Sequence, residues 1–254
     1  MTGPRAGLAL DVAGAGPAYT DRPGAVGAAY LVRHGTDALL LDLGQGAFTN
    51  LARLIEPSTL SAVAISHLHP DHLVDLVPLR HYLRYEFDPP RRIAVIGPAG
   101  LEQRLDALHD QPGFLAAALD VADIGPGIRR VGAFTIEAAR VHHTADSYAF
   151  RVSVADGPGL VYSGDCGAAD DLRPLIRPGD TLLAEATYGA DPVAPGSNHL
   201  NAHDVGRLAA ATGVARVLLT HLLMGRDRAR AVAAASALAS VPVEIVDPGD
   251  RFEI

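Results

Sequence analysis

Ser66-His67-Leu68-His69-Pro70-Asp71-His72 places three imidazoles and one carboxylate within six residues, directly after the apolar, β-branched run at 61–65. A run of that kind fills a buried strand, so the polar cluster starts where a strand stops. Alternate residues of an extended loop point the same way. His67 and His69 can therefore meet one ion, while Asp71 and His72, at the start of the following helix, face a neighbouring one. Imidazole mixed with carboxylate suits zinc, iron or manganese rather than calcium. Alone, Asp71 reads as a helix N-cap ahead of Leu73, Val74 and Leu76. Three clustered histidines, by contrast, have no comparable packing role.

Outward from this cluster, strand and helix patterns interleave. Residues 8–12 read as a strand, followed by a Gly/Pro-rich loop through Gly24. A hairpin at 28–33 and 38–42 turns at His34-Gly35-Thr36-Asp37, and a short helix spans 48–54. Beyond the cluster come a helical stretch, a strand at 92–96 and a helix at 100–108. Strands at 133–141, 148–154, 159–162 and 180–184 follow. A helix at 202–211, a strand at 215–219, a helix at 226–238 and a strand near 243–246 close the pattern. Clustered strands flanked by helices predict an α/β architecture, two β-sheets packed face to face with helices outside in four αββα layers.

The 254 residues are 48% hydrophobic, which suits one domain over 1–254. Aromatics are only 5% and Trp is absent, so the core must be built of small aliphatic side chains. A net charge of −8 repels long nucleic-acid backbones and favours a small-molecule substrate. The single cysteine, Cys166, allows no internal disulfide and fits a reducing compartment. Asp11 interrupts the first apolar run before it reaches signal-peptide length, and no run approaches the ~20 apolar residues of a membrane span. A cytoplasmic protein without membrane contact is the expectation. The oligomeric state is left open, with a homodimer among the options.

The His/Asp cluster resembles that of the metallo-β-lactamase superfamily, and later segments are similar to that family's further motifs in order. Leu39-Leu40-Leu41-Asp42-Leu43-Gly44 resembles the strand and Asp-x-Gly turn whose Asp supports the metal ligands, a role that falls to Asp42. In Arg140-Val141-His142-His143-Thr144-Ala145-Asp146-Ser147, spacing selects His143 over His142. Val161-Tyr162-Ser163-Gly164-Asp165 is similar to the strand ending in a bridging aspartate, Asp165. Leu218-Leu219-Thr220-His221 resembles the final ligand motif. The resemblance implies two divalent ions, zinc first with manganese or iron as alternatives. His67, His69, His143 and Asp165 take one, and Asp71, His72, Asp165 and His221 the other. Ions so placed can share a water and lower its pKa towards 7.

Glu185-Ala186-Thr187-Tyr188 and His199-Leu200-Asn201-Ala202-His203-Asp204 resemble the ribonuclease Z branch, where a histidine placed like His199 faces the scissile phosphate. His199 would then donate a hydrogen bond or proton to a phosphoryl or leaving oxygen. Asp71 and His199 are the candidate catalytic residues. Ribonuclease Z carries a long arm between the third histidine motif and the bridging aspartate. Here only 22 positions separate His143 from Asp165, and two strands consume most of them. The chain is thus similar to short, arm-less phosphodiesterases of actinobacterial type, and a small, cyclic-nucleotide-like phosphodiester is the expected substrate. Acyl hydrolysis, as in lactonases, thioesterases or β-lactamases, is the rival activity, because the same centre attacks carbonyls. A non-catalytic metal-binding module ranks third, since every expected ligand is present. Arg80, Arg84, Arg91 and Arg92 offer a positive rim, with solvated helix and loop faces as their plainer role, and Gly14-Ala15-Gly16-Pro17 offers a covering loop.

Overall fold

The computed structural model describes residues 7–22, 24–155 and 157–254. The first sheet draws on β1 (Ala9–Gly14), β2 (Ala29–His34), β3 (Asp37–Leu41), β4 (Ala62–Ala64), β5 (Ile93–Gly97) and β6 (Leu119–Asp123). The second draws on β7 (Gly127–Val131), β8 (Phe134–Arg140), β9 (Tyr148–Ser153), β10 (Leu160–Tyr162), β11 (Thr181–Glu185), β12 (Arg216–Thr220) and β13 (Val243–Ile245). A last strand, β14 (Arg251–Glu253), returns to pair with β1. Among the described residues, this gives two seven-stranded sheets, ordered β14-β1-β2-β3-β4-β5-β6 and β13-β12-β11-β10-β9-β8-β7. Helices α1 (Ala47–Leu54), α2 (Pro70–Leu73), α3 (Leu76–Tyr85) and α4 (Leu101–Leu108) belong to the first half. Helices α5 (Ala202–Thr212) and α6 (Arg228–Ala239) belong to the second.

Strand alternation explains why the layers stack. Along β3, Leu39 and Leu41 enter the core between the sheets, whereas Ala38 and Leu40 pack with Leu51, Leu76 and Leu105 of the helices. Likewise, Leu218 of β12 faces the opposite sheet, and Val217 and Leu219 pack with Val205 and Ala235 of α5 and α6. Central strands buried on both faces read as unbroken apolar runs, and each buried Leu or Val contributes about 1.5–3 kcal/mol. This is the four-layer αββα sandwich expected. Strands β6, β7 and β14 lie at or next to sheet ends and were not foreseen. Val121 is half-buried while Asp120, Asp123 and most of β7 are exposed, and β14 is only three residues long with Phe252 alone turned to the core, so little apolar pattern marks them. Among the described residues, no helix is long and apolar enough to cross a membrane.

Candidate metal centre

The site lies beyond the carboxyl ends of the parallel strands, where α/β sheets open a crevice. Asp42 follows β3, the His/Asp cluster follows β4, Asp165 follows β10, Glu185 ends β11 and His221 follows β12, while His143 comes from the β8–β9 connection. Asp42 and His221 both adopt left-handed backbone angles, φ 59° and 60°, which non-glycine residues seldom tolerate. Surrounding bonds hold them there: Asp42 N–H donates to Ala64 O (2.9 Å) and His221 N–H to Ala15 O (3.1 Å). Gly44 is required by a close approach. The Asp71 carbonyl accepts from Ala28 N–H (2.9 Å), and a Cβ on Gly44 would collide with that oxygen.

His67, His69, His143 and Asp165 bring one ligand atom each within 4.8 Å of one another, and so do Asp71, His72 and His221. Asp165 stands between the two groups. Its Oδ2 lies 3.7 Å from His67 Nε2 and 3.6 Å from His143 Nε2, while Oδ1 lies 3.4 Å from His72 Nε2 and 3.5 Å from His221 Nε2. Asp71 Oδ2 is 3.2 Å from His221 Nε2. Asp165, His199 and His221 form a third, overlapping group. Among the described residues, His67 Nε2, His72 Nε2 and Asp165 Oδ1 are buried with no hydrogen-bond partner. Each such atom costs about 1–3 kcal/mol, and three converging on one place fit a site built for cations.

The remaining nitrogen of most of these rings is held. His72 Nδ1–H donates to Asp42 Oδ2 (2.7 Å), His143 Nδ1–H to Asn198 O (2.9 Å), and His221 Nδ1–H to Thr187 Oγ1 (3.1 Å). Asp42, fully buried, also accepts from Ser66 N–H (2.6 Å), Ser66 Oγ–H (2.7 Å) and Tyr162 O–H (2.6 Å). His199 Nδ1–H donates to Glu185 Oε1 (2.9 Å), and Glu185 itself accepts from Cys166 N–H and Thr187 N–H. Contacts of this kind fix ring orientation and tautomer.

Burial, reinforced by neighbouring His72, holds the His67 ring well below the ordinary imidazole pKa, and burial with His143 lowers His69. Burial also penalises charge at His72 and His221, yet there the carboxylates, Asp165 foremost, win and raise both rings. Asp165 is held well below the carboxylate range, because the facing His221 and His72 outweigh its burial. Asp71 is lowered because its bond from His221 and the nearby His72 outweigh its burial. Ionised carboxylates at 71 and 165 draw positive charge to this spot, and divalent cations meet that demand.

Several other readings resolve differently. Asp71 is not an N-cap: α2 begins after His69, and the Asp71 carboxylate turns to His221. His142 stays outside the group, exposed and bonded to Asp171. Of the four arginines of that rim, Arg84 lies over the Tyr85 ring and the other three are engaged elsewhere. Arg80 is buried and donates to Phe114 O (2.8 Å), Arg91 binds Ser58, and Arg92 pairs with Asp120. The Gly14–Pro17 segment buttresses His221 through Ala15 O, and Gly16 N–H donates to Val26 O (2.7 Å). Asn201 caps α5 in a capping box with Asp204, so His199 sits just ahead of a helix start. Thr187, Asn198, Ser66 and Tyr162 complete the support of the site, and nothing in their local sequence marks that role. Ser66, Tyr162 and Thr187 lie within motif stretches, whereas Asn198 carries no such signal.

With this geometry in place, comparison with known proteins defines the class. The beta-lactamase superfamily domain matches residues 36–222, and the chain belongs to that superfamily. It is 34% identical over 239 residues to ML1173 of Mycobacterium leprae, covering 91% of this chain and 84% of that protein. It is also 28% identical over 242 residues to the ribonuclease Z of Mycobacterium bovis, covering 84% and 85% of the two chains. The crystal structure of the metallo-beta-lactamase fold protein YhfI from Bacillus subtilis superposes with a TM-score of 0.87 at 23% identity, covering 98% of this chain and all of the other. Fold and family together make the chain a metallo-β-lactamase-fold hydrolase.

Proposed function

We propose that the chain is a dinuclear metal-dependent phosphodiesterase acting on a small, cyclic-nucleotide-like phosphodiester. His67, His69, His143 and Asp165 hold one divalent ion, and Asp71, His72, Asp165 and His221 the other, zinc first and manganese or iron as alternatives. The convergence of three unpartnered buried atoms carries this assignment. Residues 1–254 act as one domain, a reading supported by β14 closing the N-terminal sheet. A cytoplasmic working place is in keeping with the single, buried Cys166.

Bound divalent ions supply Lewis acidity towards a phosphoryl oxygen and bring the pKa of a water near neutrality. The chain's own groups do the rest. Asp71, held ionised beside His221, accepts the proton that the attacking water loses. His199 is fixed through Nδ1 by Glu185, which leaves Nε2 to donate a proton to the departing oxygen. Burial works against charge on this ring, but the Glu185 bond, the Glu185 charge and the Asp165 charge together raise its pKa, which favours the protonated form that a donor needs. The choice of phosphorus is supported by the ribonuclease Z relative and by the matching position of His199. Small size is supported by β9 and β10, which occupy much of the interval from His143 to Asp165, and by the net charge of −8.

The test compares initial rates of metal-loaded protein on cyclic nucleotides, bis-aryl phosphates, precursor transfer RNA, lactones, thioesters and a β-lactam. Fastest turnover of a small phosphodiester is expected. Faster turnover of any acyl substrate by orders of magnitude would replace the reading.

A further inference from the structure

Two buried tyrosines under the second ligand group have no part in the chemistry above. Tyr30 belongs to β2 in the first sheet and Tyr162 to β10 in the second, both in the core between the sheets. Their rings pack at 5.0 Å between centroids, tilted by 54°. Each hydroxyl bonds a residue of the opposite half. Tyr162 O–H donates to Asp42 Oδ2 (2.6 Å), the oxygen that accepts from His72 Nδ1–H. Tyr30 O–H lies 2.6 Å from Thr220 Oγ1, and Thr220 Oγ–H is within reach of Ala15 O (3.4 Å), the carbonyl that also accepts from His221 N–H. Tyr30 is therefore the donor in its pair. Burial pushes both phenols up, so both remain protonated donors over the working pH range.

The bonds cross. The first sheet's tyrosine steadies His221, which follows β12 of the second, and the second sheet's tyrosine steadies His72, which follows β4 of the first. Both histidines belong to one ligand group, with Asp71, and neither belongs to the His67, His69, His143 group. A shift of one sheet over the other would move His72 and His221 apart unless something ties each to the far sheet. The ring pair with its two hydroxyls supplies that tie.

We infer that Tyr30 and Tyr162 are positioning residues for the second metal ion, acting as a crossed brace that sets His72 and His221 from the opposite sheets. The inference rests on the ligand assignment proposed above. Phenylalanine at either position keeps the ring and its packing and removes only the hydroxyl.

Metal-free protein is titrated with cobalt(II), following the visible d–d bands and the heat of binding for each equivalent. Wild type should take two equivalents. Tyr162→Phe should keep the first and weaken the second by about 10–100-fold, the range for lost partners of a metal ligand, with altered bands for the second ion alone. Tyr30→Phe should act in the same direction but less, because Thr220 reaches His221 through the backbone. Thr220→Val should reproduce Tyr30→Phe and stands in if either tyrosine variant does not fold, since it cuts the same brace at its other bond. Tyr148→Phe, a buried tyrosine outside the brace, should change neither equivalent. A purely structural role would lower the melting temperature and leave both affinities and both spectra unchanged, which would overturn the inference. If His72→Ala leaves the second equivalent intact, the ligand assignment itself falls. If His72→Ala abolishes it while the brace variants bind as wild type, the assignment stands and the brace falls.

Discussion

The two sheets are built by the same rule, three antiparallel pairings followed by three parallel ones. In the first sheet, β14 through β3 pair antiparallel and β3 through β6 parallel. In the second, β7 through β10 pair antiparallel and β10 through β13 parallel. Both halves therefore present parallel carboxyl ends to a common crevice, yet they furnish it differently. The first half delivers His67, His69, Asp71 and His72 from one connection, with Asp42 beside them from the next strand end. The second half delivers His143, Asp165, Glu185, His199 and His221 from five separate places. A compact loop sets its own local geometry. Dispersed groups meet only if the whole strand order is right, so lesions in the two halves should fail in different ways.

Asp165→Ala tests the contrast most severely, because that carboxylate alone faces both ligand groups. It should lower occupancy of both ions and cut turnover by about 10³-fold or more, the equivalent of several kcal/mol of lost charge stabilisation. Elemental analysis beside rate measurement checks this. Full occupancy with full activity would remove the bridging role.

His199→Ala should leave metal content intact and reduce turnover by about 10²–10⁴, since it deletes a proton donor rather than a ligand. Parallel loss of metal and rate would make His199 a structural support. In the first half, Asp42→Asn should weaken only the second ion, by about 10–100-fold, because His72 is the one ligand ring that bonds Asp42 directly. Equal loss of both ions would show that Asp42 organises the whole connection through Ser66.

The same contrast explains what could be read from sequence. The cluster after β4 announces itself, because three imidazoles in six residues have no packing use. The central strands do too, because burial on both faces leaves apolar runs such as residues 39–41. Single residues at strand ends carry no such signature. Asp165 looks like any Gly-Asp turn and His221 like any histidine after a strand, so both were legible only through the ordered resemblance. Tyr162 and Tyr30 look like ordinary core aromatics, since a hydroxyl's partner on the opposite sheet leaves no trace in local pattern. The end strands β6, β7 and β14 were illegible for a related reason: with little buried area, nothing selects for alternation.

The smallest expected effect concerns the partnership between β11 and the loop ahead of α5. Glu185 accepts from His199 Nδ1–H, and burial alone would push that imidazole's pKa down, yet it is raised because the carboxylate stabilises the charged ring. An acid works while protonated, so a raised pKa carries activity to higher pH, and activity is lost as pH rises through that value. Glu185→Gln keeps the shape and an oxygen acceptor for His199 but removes the charge, so the pKa must fall and the alkaline limb of kcat/KM must move to lower pH. Metal content should stay as in wild type, because Glu185 belongs to neither ligand group. Glutamine places an amide where the carboxylate accepts from Cys166 N–H and Thr187 N–H, so some loss of melting temperature is expected and does not bear on the question. The pH profile does. An alkaline limb that stays in place, measured on a substrate whose leaving group needs protonation, would show that the titrating acid is not His199 and return that histidine to its place ahead of the Asn201 cap.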